Sequence, residues 1–295
     1  MQVSENCPYH KGLAGLAEHY DAFILDLWGV VHNGLEPLPG VVDCLARLRS
    51  TGKAILFLSN APRSAGIVAN ILDGIGIGSD CYDRIVTSGD ATLRALQLRR
   101  DDWHAGLGWA YYYLGKEADA GMLAGTDYVA VDTIDAAQFI LDLGLADATR
   151  ETVETYMPVL ESGLAAGLPM VCGNPDLVVH IGDSEQPCAG ALAKAYEDRG
   201  GNVYWHGKPH RAVYDLCFGH LNGIPAERIL AVGDSLRTDI AGANNAGIDS
   251  MFAVSGIHAR DFGVEPGMVP DIAAVRQSLA SSEIKPTGML SGLRW

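Results

Sequence analysis

At 295 residues, 48% hydrophobic and only 19% charged, the chain is long enough for more than one domain and too apolar to be disordered. A formal net charge of −15 and a pI near 4.9 exclude nucleic acid and anionic membrane as expected partners, since neither attracts an acidic surface. The first thirty residues lack a basic stretch followed by an apolar one, and no apolar run reaches membrane-spanning length. The six cysteines (Cys7, Cys44, Cys81, Cys172, Cys188, Cys217) have no C-x-x-C spacing and read as reduced core thiols, so the expected compartment is the cytoplasm.

After an irregular N-terminal arm, FILDLW at 23–28 reads as a short buried strand. VVDCLARLRS at 41–50 places Val41, Val42, Leu45 and Leu48 at helical spacing, and Gly52 ends that helix. AILFLSN at 54–60 is the next strand, with a helix over 64–73, a strand IVTS at 85–88 and a helix from Gly89 to Leu98. This β-α-β-α order predicts a parallel sheet with right-handed crossovers. In the middle, YYYL (111–114) and YVAV (128–131) are strand-like, 135–143 reads as a helix, and a longer helix covers 149–166. PMVCGN and LVVHI read as strands flanking NPD at 174–176. A helix at 189–199 leads to NVYWHG, and the first pattern then resumes: helix 211–222, strand 229–234, helix 238–246, strand 250–255. The tail from Ser281 to Trp295 carries Pro and Gly and is expected to be irregular. The predicted fold class is α/β: a doubly wound parallel-sheet (Rossmann-like) core made of 1–88 and 188–295, with an inserted α/β domain at 89–187.

Three separated segments carry the chemistry: FILDLWGVVHNG at 23–34, HGKPH at 206–210 and AVGDSLRTDIAGA at 231–243. Each lies where an apolar run gives way to a Gly-rich turn. Ends of parallel strands meet along one sheet edge, so Asp26, Lys208 and Asp234 are expected to converge. Two converging acids raise each other's pKa unless a cation lies between them. The pattern points to a divalent-metal site with a lysine beside it, an arrangement suited to phosphate.

In these residues the chain resembles the haloacid dehalogenase superfamily, specifically the subclass with a large α/β cap that includes p-nitrophenyl phosphatase-like and nucleotide- or sugar-phosphate phosphatase-like proteins. The resemblance spans nearly the whole chain, with four motifs in order: LDLWGVVHNG, LSNAPRS, GKPH and GDSLRTD. It implies Asp26 as the nucleophile that forms an aspartyl-phosphate. It implies Mg²⁺ held by Asp26, Asp234 and the backbone carbonyl of Trp28, with Asp239 orienting a metal-bound water or Lys208. Ser59, Asn60 and the Gly29 turn would hold phosphoryl oxygens, and Lys208 would neutralise charge on the transferring group. Asn174 and Asp176 would face the substrate from the cap, which closes over the core, and Asp176 would suit a polyhydroxyl leaving group. A simple Asn-Pro-Asp turn is an equally good account of that loop. The expected partner is a small phosphorylated metabolite; pairing of two copies through the cap is a further option. Tyr111, Tyr112 and Tyr113 could line a pocket, although strand spacing favours alternation between core and surface.

One position departs from the family pattern. Phosphatases of the superfamily carry a second aspartate two residues after the nucleophile, as general acid and then base; here it is Trp28, which has no titratable proton. Three readings follow: a phosphatase that uses another acid or an activated leaving group, a phosphate-binding or regulatory protein with little turnover, and a dehalogenase or phosphonatase. His32, six residues past Asp26, is the nearest alternative acid, and equally a plain turn histidine. The paired acids Asp26 and Asp234 and the lysine favour the phosphatase.

Overall fold

The computed structural model describes residues 7–181, 184–256, 259, 262–264 and 268–295; residues 1–6 of the expected N-terminal arm lie outside it. The chain divides into two compact units, Met1–Ser59 with Gly66–Val86 and Lys208–Trp295, and Asn60–Ala65 with Thr87–Gly207.

The first unit opens with β1 (Tyr9–His10), β2 (Ala22–Leu25), α1 (Val41–Ser50), β3 (Ala54–Ser59), α2 (Ala65–Gly74) and β4 (Arg84–Thr87). All four residues of β2 are buried. A continuous apolar run of this kind belongs to a strand covered on both faces. In α1 the buried residues are Val41, Cys44, Leu45 and Leu48, an i, i+3, i+4, i+7 stripe. Val42, expected on that stripe, is 45% exposed, and Cys44 takes its place.

The second unit follows with α3 (Ser88–Leu98), α4 (Asp102–Ala105), β5 (Ala110–Leu114), β6 (Val129–Val131), β7 (Phe139–Asp142), α5 (Val153–Ala165), β8 (Met170–Cys172), β9 (Val178–Ile181), β10 (Ser184–Pro187), α6 (Ala189–Glu197) and β11 (Val203–Trp205). Its main sheet has the order β11-β8-β7-β5-β6, beside a separate β9/β10 hairpin. The helix expected over 135–143 is instead β7, the sheet's central strand, preceded by one tight turn at Ile134–Ala136. Four consecutive buried residues there fit a doubly covered strand, and periodicity alone cannot separate such a run from a buried helix. The inserted domain also ends later than 187. β11 pairs in parallel with β8, and α6 buries Ala189, Leu192, Ala193 and Tyr196 in the same cluster as Ile140, Leu160 and Met170. Residues 188–207, expected in the core, therefore belong to the second unit.

The chain returns to the first unit with α7 (Arg211–His220), β12 (Ile229–Gly233), a π-type turn at Leu236–Ile240, α8 (Ala241–Ala246), β13 (Asp249–Ala253), α9 (Ile272–Ser281) and β14 (Gly288–Leu290). The sheet order is β1-β14-β13-β12-β2-β3-β4. Parallel pairing links β2 to β3 and β12, and β13 to β12 and β14. The tail is more regular than expected: β14 pairs with both β13 and β1, so the arm and the tail each contribute a strand. After β2 the chain builds outward through β3 and β4; on its return it builds outward on the other side. The β2/β12 boundary is therefore the topological switch point, where open α/β sheets place their ligands.

Candidate active site

Asp26 and Asp234 directly follow β2 and β12 at the carboxyl edge of this boundary. Asp26 N–H donates to Val232 O at 2.9 Å, which carries the β2/β12 ladder one residue further and fixes where the carboxylate emerges. Asp26, Asp234 and Asp239, all buried, bring one carboxylate oxygen each within 4.8 Å of one another. Lys208, 3% exposed, donates from Nζ to Asp26 Oδ1 at 2.5 Å and to Asp239 Oδ1 at 2.6 Å. The structure thus brings together Asp26, Lys208, Asp234 and Asp239. Ser59, also buried, ends β3 on the strand next to β2.

Asp239 is held by the turn that carries it. Its Oδ2 accepts from Ser235 N–H at 3.1 Å, while the Ser235 hydroxyl accepts from Thr238 N–H at 3.3 Å. With one oxygen on the backbone and the other on Lys208, Asp239 aims the lysine.

Asp234 sits in a cradle with no room for side chains. A Cβ on Gly29 or on Gly256 would run into its carboxylate, and Gly29 has a φ of +78°. Sequence reading found Gly29 but missed Gly256, which lies beyond the fourth motif and has no carboxylate neighbour to mark it. Three buried carboxylates on a rigid edge are a hard-oxygen donor set that fits Mg²⁺. Gly256→Ala is expected to push Asp234 aside and weaken Mg²⁺ binding about 10- to 100-fold, read by calorimetric titration, with little change in secondary structure. Unchanged affinity would show that the cradle does not position Asp234.

Trp28 is half-buried and held by its own loop. Gly29 N–H donates to His32 O at 2.9 Å, the Trp28 and His32 rings meet edge to face at 5.2 Å, and a Cβ on Gly34 would strike the indole. His32 Nδ1 accepts from Gly34 N–H at 2.9 Å, and burial pushes the imidazole down to about 4. His32 is thus a neutral turn histidine near pH 7 and is poorly placed to supply a proton. Because its folded pKa lies below the ordinary 6.5, the unfolded chain takes up this proton first as pH falls. Its contribution to stability is complete above 6.5 and declines toward pH 4, by about 3 kcal/mol at most. Urea unfolding of His32→Asn should lose less stability between pH 7 and pH 5 than the natural chain, by up to about 2 kcal/mol; equal losses would mean that His32 does not titrate with folding.

The remaining expected site residues lie in the second unit. Asn60 Nδ2 donates to Asp176 Oδ1 at 2.9 Å, and Asp176 N–H donates to Asn174 Oδ1 at 3.0 Å. The NPD segment therefore forms an Asn-initiated turn. Tyr111 and Tyr113 pack in one apolar cluster and Tyr112 in another, the alternation of an ordinary strand.

A model described as haloacid dehalogenase-like hydrolase matches residues 23–128, and a HAD-hydrolase-like model matches 205–281. A hydrolase of the haloacid dehalogenase-like family from Brucella suis 1330 is 31% identical, with a TM-score of 0.82 over 96% of this chain and 99% of that one. The D-glycerol 3-phosphate phosphatase of Mycobacterium tuberculosis is 29% identical over 84% of this chain, which spans 66% of that relative's length. A structure of glycerol phosphate phosphatase from the same organism, in complex with magnesium, is 27% identical with a TM-score of 0.63 over 82% of this chain and 69% of that one. Matching models at both ends of the sequence, a relative covered almost end to end, and acids gathered at the switch point agree: the chain belongs to the haloacid dehalogenase superfamily, in the subclass of phosphatases with an inserted α/β cap.

Proposed function

We propose that this chain is a Mg²⁺-dependent phosphatase that hydrolyses a small phosphorylated metabolite in two displacements at Asp26. The observation that carries this reading is the pairing of Lys208 with Asp26 and Asp239, at 2.5 and 2.6 Å, beside the Asp234 carboxylate.

In the first displacement an Asp26 oxygen attacks phosphorus, a P–O bond forms to the carboxylate, and the bond to the leaving oxygen breaks. In the second, water attacks the same phosphorus and the P–O bond to Asp26 breaks, restoring the carboxylate; phosphate departs with one of the water's protons, and the other passes through solvent to the leaving oxygen released in the first step. Lys208 offsets negative charge on the phosphoryl oxygens, and Asp239 keeps its ammonium aimed there. Ser59 and the Gly29 turn offer hydrogen bonds to the same oxygens. Asp26, Asp234 and the Trp28 carbonyl would hold Mg²⁺, which when bound offsets charge between the carboxylates and the phosphoryl group. Trp28 contributes an apolar ring and one N–H donor, and no proton to exchange.

The test is hydrolysis of 4-nitrophenyl phosphate with Mg²⁺ and with EDTA. Turnover that needs Mg²⁺ is expected. Turnover indifferent to EDTA would remove the metal from the reading. An intact, Mg²⁺-loaded protein that cleaves neither this compound nor a panel of phosphorylated metabolites would favour the phosphate-binding alternative.

A further inference from the structure

Tyr214 lies in α7, the helix that starts just after Lys208, and is among the fully buried side chains. Its hydroxyl donates to the main-chain oxygen of Asp239 at 3.2 Å. Burial drives the phenol well above its ordinary pKa of 10, and the Asp239 carboxylate adds to the rise, so the group stays a protonated donor. A Cβ on Gly242, in the first turn of α8, would lie 2.6 Å from that hydroxyl and 2.7 Å from the ring's Cε2. The glycine therefore keeps open the space in which the phenol reaches the carbonyl.

This hydroxyl holds the one polar atom of Asp239 that its own turn and Lys208 do not. Asp239 N–H donates to Ser235 O at 3.0 Å. Its Oδ2 accepts from Ser235 N–H at 3.1 Å, and its Oδ1 accepts from Lys208 Nζ at 2.6 Å. The turn is of the π type, with Ile240 N–H also reaching Ser235 O at 3.1 Å. Single π turns are rare and gather at functional sites. On one side a Cβ at Gly233 would collide with Asp239 Cβ, so the turn is pressed against the end of β12. On the other, Tyr214 ties its backbone to the helix that carries Lys208 into place.

We propose that Tyr214 is a positioning residue: by holding the Asp239 carbonyl it fixes the carboxylate that aims the Lys208 ammonium, and so sets how well Lys208 meets charge on the transferring phosphoryl group. This rests on the phosphatase reading above. The ring itself is core, on the buried face of α7 with Val213 and Cys217, and the hydroxyl alone carries the effect.

The experiment places Tyr214→Phe, which keeps the ring and removes only the oxygen, in the natural chain and in Asp239→Asn. With 4-nitrophenyl phosphate and saturating Mg²⁺, kcat of the natural chain is expected to fall about 5- to 30-fold while KM changes by less than about threefold, because the loss falls on charge developed in the transition state. In Asp239→Asn the lysine has already lost its aiming carboxylate, so the same change should lower kcat by less than about twofold more. A hydroxyl that only supports the core would act alike in both backgrounds. An unchanged kcat, an equal fall in both backgrounds, or a loss carried by KM overturns the proposal.

If Tyr214→Phe fails to fold, Gly242→Ala leaves the hydroxyl in place and pushes it off the carbonyl, and the same two backgrounds give the comparison. Nuclear magnetic resonance of the chain labelled with ¹⁵N-lysine separates this proposal from the phosphatase reading, because it needs no turnover. The Lys208 ammonium is buried and donates to two carboxylates. Its protons should exchange with water at least about fivefold faster in Tyr214→Phe. Unchanged exchange overturns the positioning role, whereas faster exchange in a protein that hydrolyses nothing leaves the hold on Lys208 standing and removes the phosphatase.

Discussion

Asp26→Asn is expected to abolish turnover, lowering kcat by on the order of 10⁴–10⁶, the range seen when a covalent nucleophile is removed. A carboxamide is nearly isosteric with the carboxylate but is neutral and a poor nucleophile toward phosphorus. It also gives up the charged partner that Lys208 holds at 2.5 Å. Lys208 keeps Asp239 at 2.6 Å, so the ammonium is not left unpaired, and the variant should fold with a lower melting temperature rather than unfold. Circular dichroism and kinetics on 4-nitrophenyl phosphate would read both effects. The stereochemical course at phosphorus gives a sharper check on the natural chain. Two in-line displacements return the original configuration and a single direct attack by water inverts it. Inversion, or an Asp26→Asn variant that retains a tenth of the natural rate, would end the proposal that Asp26 becomes phosphorylated.

Much of the core was legible because its strands are short, apolar and terminated by chemistry. FILD, LFLSN and LAVGD each bury a continuous run and then stop at a polar residue, and parallel topology does the rest by aligning their ends. What escaped depended on long-range partners. β7 reads FILD as well, yet 135–143 reads as a helix in the sequence, and only pairing with β5 and β8 makes 139–142 a strand. The boundary at 187 failed for the same reason. β11 is just three residues, and its place is set by β8, some thirty positions earlier. β14 lies in a Gly- and Pro-bearing tail and exists because β13 offers it an edge. In the site, ionisable residues announced themselves, whereas Gly256 did not, since its contribution is the absence of a side chain against Asp234. Asn60 was visible as a polar strand end, but whether its amide meets a phosphoryl oxygen or another side chain is a matter of tertiary contact. His32 offered two readings, and its burial favours the turn histidine.

Trp28→Asp is expected to raise hydrolysis of alkyl phosphates, and that of aryl phosphates much less. An alkoxide is a poor leaving group unless it takes a proton as the P–O bond breaks, whereas 4-nitrophenolate or a carboxylate departs without one. The natural chain offers no proton from Trp28, and His32 is neutral near pH 7 with its Nδ1 already accepting from Gly34 N–H. Its rate on acyl and aryl phosphates should therefore exceed that on sugar phosphates by a wide margin. A positioned acid contributes roughly 10²–10⁴, which sets the ceiling for the gain. The realised gain should be far smaller, because the indole packs edge to face on His32 and against Gly34, and an aspartate would leave that space unfilled. Pairing the substitution with Gly34→Ala tests this, since a methyl group there occupies part of the vacated volume, though φ at Gly34 is +94° and the alanine carries some strain. The measurement is the ratio of kcat/KM for glycerol 3-phosphate to that for 4-nitrophenyl phosphate at one pH, in the natural chain and in Trp28→Asp. The ratio should be small in the natural chain and rise in the variant. A natural chain that cleaves both at similar rates already possesses an acid, and His32→Ala then tests the one imidazole in the loop. Rate loss there would make His32 the proton donor despite its depressed pKa, and an unchanged rate would direct the search to other residues.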